Sequence, residues 1–450
     1  MDDKAHSGTF IRRTMAHTYR YFLSAVLSLG VIVHAIGQSG SNDPTFSIGT
    51  GFNSAETYIG VNDLALQPDG GVIVGGDFAS FNGVTRNNIA RLNPDGGLDT
   101  TFDPGSGFTG GGFLSWVSSL ALQPDGRVIV GGDFTQVNGT PRNFIARLHP
   151  DGSLDTTFDP GSGFNMVIMA MALQPDGKVI VGGDFTSYNG TSCSYLVRLN
   201  ADASLDTTFN TGIGFPNQSV VYTIAVQPNG KVLIGGAFTS YNGVPVSHLM
   251  RLMPDGTFDP TFNASCNDQV WSLVPQPNGK LLVGGAFTMV NGTGRGRIAR
   301  LNVNGGLDPT FLPGTGFNAG VYGVVFDMAL QQDGKIIASG RFYDYNGTSC
   351  HNIVRLLPNG IPDGSFATGA GFNDPLGQGV PALAIQPDGS VIVGGFFTLY
   401  DNDPSERIIR LLNDCLIGGP CDDGDSLSVN DMFTGECACV GTYSCEPSQL

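Results

Sequence analysis

A turn signal returns seven times along this chain, and no other feature limits the fold so strongly. Gln67-Pro68-Asp69-Gly70 recurs, in this or a closely related form, at Gln123, Gln174, Gln227, Gln276, Gln331 and Gln386, with spacings of 56, 51, 53, 49, 55 and 55 residues. Repeats of this length build solenoids, propellers or arrays, in which each copy buries its apolar surface against its neighbours. Each copy carries four strand-like stretches, in the first copy residues 61–67, 72–78, 88–92 and 98–102. Turns separate them at Pro68-Asp69-Gly70, Asn82-Gly83 and Pro94-Asp95-Gly96, where Gly supplies the positive φ that hairpins need.

The first stretch is nearly continuous in apolar residues, with a small residue at its centre: Ala65, Ala121, Ala172, Ala225, Val274, Ala329 and Ala384. Strands buried on both faces read this way, and small side chains suit the crowding of innermost strands around an axis. The second stretch holds a Gly pair, as in Val74-Gly75-Gly76, which allows close backbone approach.

The third stretch places an arginine in every copy: Arg91, Arg147, Arg198, Arg251, Arg300, Arg355 and Arg410. Asp99, Asp155, Asp206, Asp259, Asp308 and Asp363 follow a few residues later. Unpaired buried arginine is costly, so structural ion pairs within each repeat are expected rather than a ring of binding cations.

The two ends of the array complement each other. Asp43-Pro44-Thr45-Phe46 matches the fourth stretch although no complete repeat precedes it, and the last copy runs from Arg410-Leu411 into Cys415 without that element. The chain is therefore expected to form an all-β, seven-bladed β-propeller over residues 41–413, closed by an N-terminal strand that completes the last blade. Closure leaves only short sheet edges.

The phrases LALQPDGGVIVGGDF and RLNPDGGLDTTF resemble the delta-60 repeat family of bacterial secreted and surface proteins. The resemblance implies a propeller and carries no general activity with it. The Asp of GGDF stands at Asp77, Asp133 and Asp184, but Ala237, Ala286, Arg341 and Phe396 replace it in the later copies. A ligand or metal role for that Asp would be confined to blades one to three.

Lys4, Arg12, Arg13 and Arg20 precede the uncharged apolar run 21–36, with small residues at Ala35 and Gly37. This is the pattern of a signal peptide, residues 1–37, and implies a secreted or cell-surface protein with no membrane span after cleavage. Net charge is −17, carried mainly by Asp in turns, since Glu occurs only at positions 56, 406, 436 and 446. An acidic body disfavours nucleic acid, whose phosphates require clustered Lys and Arg. A monomer is expected.

Residues 414–450 form an acidic, cysteine-rich segment with Cys415, Cys421, Cys437, Cys439 and Cys445. A short segment of this kind behind a signal peptide reads as disulfide-stapled, among Cys415, Cys421, Cys437 and Cys439, with the pairing open. It resembles a cysteine module of secreted adhesin-like proteins. Asp422, Asp423, Asp425 and Asp431 offer hard oxygen ligands for Ca²⁺, a candidate set weighed against a solvated acidic turn; no other cofactor is indicated. Cys193, Cys266 and Cys350 read as buried free thiols.

No catalytic residue is assigned. Outside the signal segment the histidines are His149, His248 and His351, at dissimilar repeat positions, and no acidic pair stands outside the turn pattern. The loops 109–116, 263–269 and 373–380 vary between copies, and loops on one face are the usual functional surface. The expectation is a binding or scaffold protein recognising an extracellular glycan or protein through those loops. Two alternatives are a polysaccharide-degrading enzyme, which requires carboxylates converging in a cleft, and a structural envelope or matrix component without a ligand.

Overall fold

The computed structural model describes residues 39–54, 59–112, 115–318, 320, 323–413, 428–433 and 439–443. Seven three-stranded antiparallel sheets, each built on an inner strand, succeed one another along the chain, with smaller two- and three-stranded hairpin sheets between them. In the first, the inner strand Gly60–Leu66 pairs with the middle strand Val72–Asp77, which pairs with the third strand Ile89–Leu92. The hairpin between the first two is set by Gln67, whose N–H donates to Gly71 O and whose carbonyl accepts from Gly70, with φ of 85° at Gly70. Consecutive inner strands pack side by side, and the last, Ala382–Ile385, lies against the first. The ring is a seven-bladed β-propeller.

The chain ends close it. Asn42 bridges Leu411, the Gly40 N–H donates to Leu412 O and the Asp43 N–H to Arg410 O, both at 2.8 Å. Phe46 is buried in the cluster of blade one beside Phe78 and Phe81.

The fourth stretch differs from its expected form. It makes a single bridge per blade, such as Leu92 with Leu98, and then turns at Asp99-Thr100-Thr101. The turn forms because the Asp99 carboxylate accepts from the Thr101 N–H and hydroxyl, which competes with a ladder. The outer edge of each blade is thus a capped turn. A second, smaller hairpin sits on the opposite end: Ser80–Phe81 and Val84–Thr85 flank Asn82-Gly83, both with positive φ.

Each repeated Arg spans two blades. Arg147 Nε donates to Asp155 Oδ2 at 2.7 Å and Nη2 to Thr157 Oγ1, while Nη1 reaches Ala201 O in the next blade at 2.7 Å. Its guanidinium lies 5.0 Å from the Phe158 ring centroid. Burial alone would raise the Asp155 carboxyl, but the Thr157 hydrogen bonds and Arg147 lower it to about 2. Arg91, Arg198, Arg251 and Arg300 repeat this pattern onto Pro150, Pro254, Val303 and Pro358. Arg355 uses Asn413 Oδ1, and Arg410 pairs with Asp43 and reaches Pro94 O, joining blade seven to blade one.

Candidate functional site

The middle-strand glycines explain how the inner strands are shaped. A Cβ on Gly75 would lie 2.5 Å from Val117 Cγ1 of the next blade, and one on Gly76 would lie 2.1 Å from Gly60 O of its own inner strand. Removing both Cβ atoms lets blades close on one another and lets the inner strand carry a β-bulge. The register shifts between Val61 and Asp63, Val117 and Ser119, Ile168 and Ala170, Val221 and Thr223, Val270 and Ser272, and Val325 and Asp327. A bulge inserts one unpaired residue and re-aims its side chain.

The inserted residues are Asn62, Ser118, Met169, Tyr222, Trp271 and Phe326, with Pro381 at the same place in blade seven. All seven are half-buried, whereas the valine or isoleucine before each is buried. All seven line one cavity of about 560 Å³ in the central channel, a volume suited to a small organic ligand. The repeat thus makes a ring, and the bulge gives each blade one unrepeated side chain in its centre.

The cavity has two unlike walls. Blades four to six present aromatics: Tyr222 stacks on Trp271 with centroids 3.9 Å apart and planes 9° apart, and Phe326 meets Trp271 edge-on at 5.4 Å. Trp271 Nε1 donates to Gln269 Oε1 at 3.2 Å. Blades one and two present polar groups, Asn62, Asp63, Asp77, Ser118 and Ser119, beside Trp116. Burial raises the Tyr222 hydroxyl, and the charge of Asp184 adds to the effect.

Two carboxyls sit on the residue after the bulge. Asp63 accepts from the Leu64 N–H at 2.8 Å and from the Leu120 N–H of blade two at 2.6 Å. Asp327 accepts from the Met328 N–H at 2.8 Å and from the Leu383 N–H of blade seven at 3.0 Å. Both are half-buried and line the channel cavity. Burial raises each to about 7 against the lowering effect of those N–H groups, and at Asp327 the charge of Asp63 adds to the rise. At neutral pH the pair therefore holds protons that ordinary carboxylates would have lost.

These residues overturn the expectation that no acidic pair stands outside the turn pattern. Asp63 and Asp327 are such a pair, and they line one cavity. The signal was present in a comparison of the seven copies: the two positions after the inner-strand valine or isoleucine read Asn-Asp, Ser-Ser, Met-Ala, Tyr-Thr, Trp-Ser, Phe-Asp and Pro-Ala, while the flanking residues repeat. The variable loops contribute Trp116 and Gln378 to the lining. Of the GGDF position, Asp77 and Phe396 line the cavity; Asp133 accepts from the Gly112 N–H at 3.3 Å, and burial raises both Asp133 and Asp184.

The other sequence candidates fall elsewhere. Asp422, Asp423, Asp425, Cys415, Cys421, Cys437 and Cys445 lie outside the described residues, as does the segment 1–37. Asp431 lies in the strand Ser428–Phe433, which pairs with Cys439–Tyr443. Among the described residues no group of three or more His, Cys, Asp or Glu gathers as a metal site. Cys193, Cys266 and Cys350 are free thiols, and burial pushes each up to about 12.

Comparison with known proteins identifies the repeat. A family model described as a beta-propeller domain of unknown function, DUF5122, matches residues 67–102, 123–158, 174–209, 227–262, 276–311, 331–366 and 386–414, more than half of the chain. No curated protein sequence matches significantly. The solved WD40 β-propeller domain of Doa1 is similar with a TM-score of 0.51 at 15% identity, over 81% of this chain and 97% of that one. The extracellular domain of BT4673 from B. thetaiotaomicron gives 0.46 at 13% identity, over 84% of this chain and 42% of that one. Virginiamycin B lyase from Staphylococcus aureus gives 0.46 at 10% identity, over 81% and 97%. At such identities the likeness extends to the fold alone. With seven matched copies, one to each blade of the closed ring, the chain belongs to the DUF5122 β-propeller family.

Proposed function

We propose that this protein is a secreted or cell-surface binding protein that holds the end of a carbohydrate chain in its central channel. The observation that carries the reading is the bulge ring: seven unrepeated side chains line one cavity, with the stacked Tyr222–Trp271 pair facing a wall of hydrogen-bonding groups. Sugars present an apolar ring face and a polar rim of hydroxyls, and an aromatic platform opposite carboxylates and amides meets both needs. The signal-like start of the chain and its resemblance to delta-60 repeat proteins support an extracellular place.

A glycan array followed by calorimetry on the mature fragment tests this. Saturable binding of a carbohydrate that is lost in Trp271→Ala, with folding retained, is the expected result. Absence of binding across the array, or binding that survives Trp271→Ala, refutes it.

A second reading has one specific observation behind it. Asp63 and Asp327 share the cavity and are poised to exchange protons near neutrality, as acid and base groups of glycoside hydrolysis must. Release of reducing ends or unsaturated sugars from a bound glycan, abolished by Asp63→Ser, favours the enzyme. Bound glycan recovered intact favours the binding protein.

A further inference from the structure

We infer that the sugar held in this channel carries a protonated amine, received by the channel carboxyls beside the aromatic residues. The inference rests on the carbohydrate reading and adds the charge of the ligand.

Asp63 and Asp327 join neighbouring blades. Each accepts a backbone N–H from the next blade. Ser119 does the same for the Met171 N–H and Ser272 for the Met328 N–H, both at 3.1 Å. Blades three and seven have Ala170 and Ala382 at this position and stand in the same closed ring. A hydroxyl suffices for the clamp, and two blades dispense with it. A carboxylate deep in a protein body costs far more to bury than a hydroxyl. The bond to the next blade alone therefore does not account for the acidic choice in blades one and six, and buried carboxyls lining a cavity mark a site of binding or chemistry.

An ammonium brought beside these carboxyls favours their ionised form and so gains an ion pair in place of the protons they hold. Asp63, Asp77 and Asp327 line the cavity, and among the described residues no Lys, Arg or His does so. Arg341, at the repeat position of Asp77, donates to Gly377 O in a connecting loop. Tyr222, Trp271 and Phe326 line the same cavity, Phe326 adjoining Asp327 on one strand, and aromatic rings attract ammonium groups most strongly where water is excluded. An amino sugar meets both features: its ring packs against the aromatic lining while its amine meets the carboxyls. The net charge of −17 draws such a ligand toward the protein.

The test compares three trisaccharides of equal length by calorimetry: glucosamine, its N-acetylated form and the glucose analogue. The expected result is binding of the amine form about tenfold or more tighter than either neutral sugar. The double variant Asp63→Ser, Asp327→Ser retains the inter-blade acceptor found in blades two and five, and it should fold and bind the amine form no more tightly than the neutral sugars. Equal binding of all three, or a preference that survives in the double variant, overturns the inference and leaves the carbohydrate reading intact. Binding of none of them by the folded wild-type protein removes the carbohydrate reading and the inference together.

Discussion

Asp43 and Arg410 are 367 residues apart in sequence, yet the carboxylate and guanidinium meet at 2.7 Å with side chains only 9% and 13% exposed. Removing the carboxylate as Asp43→Ala leaves Arg410 with the Pro94 carbonyl and the Thr45 hydroxyl, and leaves the Thr45 N–H without its acceptor. Losing one partner of a buried pair costs about 3–5 kcal/mol, and the residual exposure of Arg410 puts this case near about 3 kcal/mol. Arg410→Met removes the other partner, but Asp43 keeps two hydrogen bonds from Thr45. The double variant should therefore cost less than the sum, with a coupling of about 1.5–3 kcal/mol in denaturant unfolding. Arg147→Met with Asp155→Ala provides the same cycle inside one repeat. Additivity within about 0.5 kcal/mol at Asp43 and Arg410, with coupling at the control pair, would refute closure through this contact.

Deleting residues 41–46 should lower the melting temperature markedly, since it also removes the Leu411 and Leu412 backbone partners; an unchanged melting curve contradicts the topology. Gly76→Ala places a Cβ 2.1 Å from a backbone oxygen and should cost about 3 kcal/mol or more by denaturant unfolding, whereas Gly83→Ala, with open space but a φ of 77°, should cost about 1 kcal/mol. Stability should peak in mild acid. Asp63 and Asp327 have native values raised to about 7 from 3.8, so the unfolded chain gives up protons first and stability falls as pH rises from about 4 to about 7. Asp155 and Asp363 are lowered to about 2, so their contribution is lost as pH falls below about 4. In the Asp63→Ser, Asp327→Ser variant the loss between about pH 4 and about 7 should shrink; an unaltered slope contradicts the assignment.

The ring was legible because its cause is local and repeated seven times: a Gly turn and an apolar strand in every copy, with a Gly-paired strand in six and Ser339-Gly340 in the other. Its closure was legible because Asp43-Pro44-Thr45-Phe46 is surplus at one end and lacking at the other. The fourth stretch was misread as a strand because Leu98 to Phe102 alternates like one, while the Asp99 carboxylate spends its acceptors on Thr101 and folds the chain into a turn. The partner of Arg91 in the next blade, the Pro150 carbonyl, has no sequence signature, since every residue has a carbonyl. The channel residues were hidden for a different reason. A bulge is a one-residue slip inside a continuous strand, so which of Asn62 and Asp63 faces the channel is not set until the paired register is known.

The chain's two tryptophans, Trp116 and Trp271, both line the cavity, so its intrinsic fluorescence reports on the proposed site. The most direct measurement titrates the Trp116→Phe variant, whose emission comes from Trp271 alone, with the sugar found to bind by calorimetry. A saturable change in Trp271 emission at the calorimetric dissociation constant, absent when Tyr222→Ala removes the stacking partner, is the result this account predicts. Calorimetric binding with Trp271 emission unchanged would place the ligand outside the bulge ring and contradict it.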